Sequence, residues 1–238
     1  MNNLIKAILL FFFLGLSSYG AETLKVPFYA ESLAPLVIIE KGEYQGGLYH
    51  KFFSKILSRA NIKFKLYPLP KSRLRQKFWE GGSLLTCCDN PAWRTFPKEI
   101  EVQKFSRPFM ELRDVIVTRK DKHIELSNLS NIHFALKRGF SYKGDSKFKK
   151  ISYLNDMNSI LQFVELNRAD AAIVNEYVFK EYSLRNKSNL IVAKEFSKDS
   201  IHIRVHSKRE DLLKKINKAI SDLKHEGYFQ DSIDDYLK

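Results

Sequence analysis

Between Leu24 and Cys88 the spacing of apolar residues changes period four times, and few folds accept such a chain. Leu24 to Ala30 reads as a strand. Leu48, Phe52, Phe53, Ile56 and Leu57 then form one helical stripe, closed at Asn61. Ile62 to Tyr67 alternates apolar residues with lysines, as a half-buried strand does. Pro68 and Pro70 stop it, and Ser72 is the expected cap of a helix through Phe78 and Trp79 that ends at Gly81 and Gly82. Leu84 to Cys88 supplies a third strand. Strand, helix, strand implies a right-handed crossover, and two in series predict a βαβαβ unit.

The third strand breaks at Asp89, Asn90 and Pro91, then turns through Trp93 and Arg94. Open α/β sheets hold ligands at such carbonyl ends. Arg94 stands at this mouth, and its planar fork of donors suits a carboxylate or another flat anion. The spacing serves equally well for a surface ion pair with Asp89 or Glu99. Trp93 is expected in the core. Cys87 and Cys88 are the only cysteines. Adjacent Cα atoms lie about 3.8 Å apart, under the roughly 4.4 Å of an unstrained disulfide, so two thiols on opposite faces of the strand are expected.

Downstream, Asp114 to Thr118 is β-rich, and Ile132 to Leu136 opens a second set of elements. Lys137 to Tyr142, with Gly139 and Ser141, forms another loop at a carbonyl end. Asp156 should cap a helix with Met157, Ile160, Leu161 and Val164 on one face. Ala171 to Val174 reads as a buried strand with Asn175 where it stops, and Glu176 to Arg185 as a helix. Leu190 to Ala193 and Ile201 to Val205 read as separate strands, the second carrying His202, Arg204 and His206 on what looks like a surface face. Leu212, Leu213, Ile216, Ile220 and Leu223 share a helical face before Gly227 and a last short helix.

The length allows one large domain or two lobes of roughly 100 residues each. Ala7 to Leu16 is apolar except for Gly15 and follows Lys6, too short to span a membrane but suited to a secretory signal; Ser18 and Gly20 place cleavage before Ala21. Loss of Lys6 with residues 1–20 would leave 39 basic against 27 acidic residues, a formal +12, in place of 40 against 27. An exported basic chain meets anionic headgroups, wall polymers and small acids; Lys137, Arg138, Lys143, Lys147, Lys149 and Lys150 hold part of the charge, in a pattern that matches no nucleic-acid module.

PLVIIEKGEYQGGLYHKFFSKILSRA, an arginine followed at a distance by FSRPF, NIHFALKRGFSY, NRADAAIVNEYV and INKAISDLKHEGYFQDSI occur in that order. Together they resemble the family 3 extracellular solute-binding proteins that serve bacterial polar amino-acid importers, over essentially the whole mature chain. The resemblance implies an α/β, two-lobe periplasmic-binding-protein-like (type II) fold with two inter-lobe crossings. Residues 1–20 would be the signal peptide, 21–110 and 195–238 lobe one, and 111–194 lobe two, the ligand lying between lobes that close by hinge motion.

Carried over, the resemblance makes Arg94 the clamp of a ligand carboxylate, Ser141 a hydroxyl donor of the second lobe, and Asn175 an occupant of the place where amino-acid binders hold an aspartate for the α-ammonium. An amide there, and Cys88, Asp89 and Asn90 where hydroxyl residues are usual, shift the expectation toward a polar or anionic small molecule. Arg73 could add charge at the cleft, and Tyr142 an apolar wall.

Catalytic motifs are missing from the sequence: it has no nucleophile elbow, P-loop or paired-histidine zinc motif. The expectation is a periplasmic, monomeric binding protein without cofactor or metal, partnered by a membrane permease of ABC type. The alternatives are a sensor that docks on a signalling protein and, further off, an exported small-acid lyase or dehydratase.

Overall fold

The computed structural model describes residues 23–140, 142 and 144–236. The expected leader, Ala21 and Ser141 lie outside the described residues. β1 (Leu24–Tyr29) and β4 (Phe64–Leu69) pair in parallel, with Leu24 opposite Phe64. Between them come a hairpin of β2 (Ile38–Glu40) and β3 (Glu43–Gly46) and the helix α1 (Leu48–Arg59). The apolar stripe of α1 is the face it buries: Leu48, Phe52, Phe53, Ile56 and Leu57 are all closed to solvent. Gly47 begins the helix at φ 98°, where a Cβ would stand 2.5 Å from the Leu36 carbonyl oxygen, so only glycine fits.

α2 (Lys71–Trp79) starts one residue before the expected cap. Pro70 holds the cap position, Ser72 is exposed on the first turn, and no side chain accepts from the free N–H groups. β5 (Leu85–Asp89) is buried throughout. It runs beside β1 but builds no ladder with it among the described residues, so the expected βαβαβ sheet is not closed by β5. Its backbone partners come instead from β11 (Leu190–His206), antiparallel, with Arg204 opposite Thr86 and His202 opposite Asp89.

After α3 (Pro97–Ile100) and β6 (Gln103–Phe105), which also pairs with β11, β7 (Met110–Arg119) leaves for the second half of the chain. There β8 (His133–Lys137), β9 (Lys150–Leu154) and β10 (Ala171–Asn175) extend the sheet, flanked by α4 (Met157–Glu165) and α5 (Glu176–Asn186). The strand order is β5, β11, β7, β10, β8, β9. β11 is one strand, not two. Its polar middle keeps pairing with β7 from Leu190 opposite Arg119 to Ile201 opposite Met110, through two register shifts that hide it from a period-two pattern.

β7 and β11 are thus the two crossings. α6 (Leu212–His225) and α7 (Tyr228–Tyr236) return to α1: the Phe52 and Phe229 rings stand 5.1 Å apart, and Arg59 Nη2 donates to Glu226 at 2.9 Å. The second body has a small cluster of Ile116, Phe134, Leu136, Phe148 and Ile173, while the face of α4 with Met157, Ile160, Leu161 and Val164 is continuous with the main core. Two α/β bodies are joined by adjacent antiparallel strands.

Candidate ligand cleft

The carbonyl ends of β1, β4, β5, β8 and β10 bring together the residues discussed next. At the end of β5, Cys88 has φ 67°, a left-handed conformation rare outside glycine. That turn breaks the alternation expected to keep the two sulfurs apart, and Cys87 and Cys88 are joined by a disulfide, with Cα atoms 3.7 Å apart. The expectation of two thiols is corrected. The Tyr29 hydroxyl donates to the Cys88 carbonyl at 3.1 Å and reaches that of Cys87 at 3.3 Å, fixing the turn from β1.

Asp89 and Asn90 follow. Asp89 Oδ2 accepts from Thr86 Oγ1 at 2.9 Å, and Oδ1 pairs with Arg94 Nη2. Asn90 Oδ1 accepts from Ala92 N at 2.7 Å while its Nδ2 donates to the Ser200 carbonyl at 2.8 Å, which ties the Pro91–Trp93 turn to β11. Arg94 is only 5% exposed. It makes the pair with Asp89 that its spacing allowed, but in the interior and not on the surface. Nη1 donates to the Trp93 carbonyl at 3.3 Å and Nε has no partner among the described residues. Burial disfavours its charge, but Asp89, Tyr29 and Glu99 more than offset this and raise its pKa. Trp93, expected in the core, is 39% exposed on the turn that Asn90 caps.

Facing this segment are Lys137 and Tyr142, from the loop expected at a carbonyl end, and Lys71, which the sequence did not single out. Lys71, first in α2, lies with its Nζ 4.5 Å from the centre of the Phe140 ring of the second body. Its pKa is lowered to about 8 by burial and by the charges of Arg94, Lys137 and Arg75, against the attraction of Asp89. Lys137 Nζ donates at 3.1 Å to Glu31 Oε2 and to the Asn155 carbonyl, and stands 5.1 Å from the same ring. Tyr142 is buried with its hydroxyl accepting from Lys137 N at 3.1 Å. The signal for Lys71 was present: it follows the Pro68 and Pro70 break at the end of β4, as Arg94 follows the break at the end of β5.

Asn175 caps α5, accepting from Tyr177 N at 3.0 Å, and its Nδ2 donates to the Arg113 carbonyl at 3.1 Å. Directly across the β7–β10 ladder stands Asp114. Burial raises the Asp114 carboxyl to about 6, the Asn175 amide opposing and Asp199 adding to the rise, and no cation pairs with it among the described residues. Arg73 is exposed on α2 and joins none of these contacts.

A second charged set lies behind the turn. Arg204, expected on a surface strand, is fully buried, as is His206 at 2% exposure, because the Phe78 ring of α2 packs on both and Glu99 of α3 with Thr86 and Gln103 closes around Arg204. Its Nη1 donates to Glu99 Oε1 at 2.9 Å, its Nε to Thr86 Oγ1 at 3.2 Å, and its guanidinium lies 3.8 Å from the centre of the Phe78 ring. Arg75 Nε donates to Glu99 Oε1 at 3.1 Å. Burial alone would raise the Glu99 carboxyl, but these two arginines hold it below the ordinary value.

The architecture is that of the type II periplasmic-binding proteins. The periplasmic VFT2 domain of Bordetella pertussis BvgS superposes with a TM-score of 0.71 at 19% identity, over 90% of this chain and 93% of that one. An ancestral arginine-binding protein bound to arginine gives 0.71 at 19%, over 91% and 98%. A mutant of ArgBP from T. maritima gives 0.68 at 20%, over 90% and 95%. No family model and no curated protein matches the sequence.

Proposed function

We propose that the chain is an exported, periplasmic solute receptor that captures a small polar ligand with a carboxylate or similar anion between its two lobes and hands it to an ABC-type importer. Residues 21–110 and 195–238 would make one lobe and 111–194 the other. The observation that carries the reading is Arg94: buried at the carbonyl end of β5, with Nε unpartnered among the described residues and with Lys71, a further cation, in its neighbourhood. A buried guanidinium nitrogen without an acceptor is costly unless something supplies one. The amino-acid binding proteins among the structural neighbours support the class of ligand. A sensor role for the same clamp draws support from the BvgS domain, and in that case closure would be read by a signalling partner. Tyr142 and Asn175 serve here as walls and supports, their polar atoms being engaged within the protein, while Ser141 and Arg73 remain candidates for direct contact.

The test is a thermal-shift screen of residues 21–238 against amino acids, dicarboxylates, small peptides and sugar acids. A ligand at a hundredfold over Kd adds about 2.7 kcal/mol, which raises Tm by roughly 5 to 10 °C for a chain this size. The double variant Asp89→Asn/Arg94→Gln removes both charges together and so strands neither. A ligand-induced rise that survives intact in it overturns Arg94 as the anchor. No rise with any member of the screen overturns the receptor reading.

A further inference from the structure

The charges around the cleft do not balance, and the imbalance sits on one residue. Arg94 has Asp89, and Lys137 has Glu31 at 3.1 Å. Lys71 has no carboxylate partner among the described residues. What faces it is the ring of Phe140 from the opposite lobe, at 4.5 Å, together with the positive charges of Arg94 and Lys137. A ring attracts a cation by about 0.5–2 kcal/mol, which leaves a partly buried ammonium beside two like charges under-compensated. The first turn of α2 adds to the field, since it holds no acidic residue and no side chain caps its N–H groups. A single ligand carboxylate meeting Arg94 would leave Lys71 as it is.

We propose that Lys71 is a second cationic anchor, and that the ligand carries two anionic groups, as an acidic amino acid or small dicarboxylate does. The inference rests on the receptor reading above. Lys71 leads α2 of the first lobe and touches the ring of the second, so an anion bound there would also favour the closed form over the open one. The groups that set its charge state are Arg75 on its own helix, Asp89 and Arg94 from the turn after β5, and Lys137 from β8.

The probes are L-glutamate and L-aspartate against L-glutamine and L-asparagine, pairs of one shape that differ by one anionic group, with succinate and L-arginine alongside. Calorimetric titration of the wild-type mature protein should give at least tenfold tighter binding of an acid than of its amide. Acid binding should weaken as pH rises through about 8, where Lys71 loses its proton. Lys71→Met should erase the acid-over-amide preference without lowering the Tm of the free protein, and Lys71→Arg should keep it. Tighter binding of the amides or of L-arginine overturns the inference and leaves the receptor reading standing. A preference that persists in Lys71→Met overturns it too, as does binding of no acid; failure of the whole screen above removes the receptor reading itself.

Discussion

Arg94 and Arg204 are both buried, and both lie within ion-pair reach of Asp89, yet they are surrounded differently. Each has one nitrogen without a partner among the described residues, Nε of Arg94 and Nη2 of Arg204, so an orphan alone does not tell them apart. The pairing of the cations around them does. Arg204 and Arg75 close on Glu99, with Thr86, Gln103 and the Phe78 ring filling the rest of the shell. Arg94 shares its one carboxylate with a neighbourhood that also holds Lys71 and Lys137. In the first set each cation reaches the one buried carboxylate; in the second, Lys71 reaches none among the described residues. The two sets are therefore told apart by whether every cation in them meets a carboxylate, and that can be tested from either side.

The largest effect is expected on the structural side. Glu99→Ala leaves the buried Arg204 without its carboxylate and beside the half-buried Arg75, and breaking a buried pair in this way costs about 3–5 kcal/mol. Urea unfolding of the free protein measures it. Glu99→Gln, which keeps the shape and two acceptor lone pairs, should lose less. If both variants unfold with the wild type, the set behind the turn is not what holds β11 against α2 and α3, and the contrast with Arg94 collapses.

This contrast was only half legible in the sequence. The stripe of α1, the Asp156 cap (Ser159 N to Oδ1 at 2.9 Å) and the return of the last helices follow from period and capping chemistry, which are local. Arg204 was misread because exposure of a strand depends on what packs on its face, and Glu99, Gln103 and the Phe78 ring reach it across a hundred residues of chain or more. Lys71 was passed over for the same reason: its meaning comes from Phe140, on the other side of the crossings. Arg94 could be named because a strand, a break and an arginine sit together in twenty residues, but its pair with Asp89 and its burial belong to the fold. The disulfide was excluded on Cα spacing and strand alternation; the spacing stays at 3.7 Å, and it is the alternation that fails where Cys88 turns left-handed.

A smaller effect of opposite sign is expected in the cleft. The Asp114 carboxyl, raised from 3.8 to about 6, holds its proton more tightly in the fold than in the unfolded chain. The folded state therefore binds the extra proton between those values, and the stability from this group is fully present below 3.8 and lost as pH rises through about 6. At neutral pH the charged carboxylate is a burden, and Asp114→Asn should stabilise the free protein by about 1–2 kcal/mol. Near pH 4 the variant and the wild type should converge. Equal stability at both pH values would mean that Asp114 already has its compensating charge, and the cleft would then be less open than its contacts indicate.

The smallest effect on stability is expected from the bond that precedes both sets. A disulfide stabilises chiefly by restricting the unfolded chain, and one between adjacent residues closes almost no loop. Denatured protein should show no reactive thiol before reduction and two after it, while urea unfolding with and without reductant should differ by less than about 1 kcal/mol. The measurement also bears on how the two arginines are held. Arg204 reaches Glu99 on α3 from β11, away from the cysteines, whereas Asp89 and Arg94 follow the left-handed turn at Cys88. Reductant that spares stability but weakens ligand binding would separate the two sets once more, with the disulfide serving the cleft and not the core.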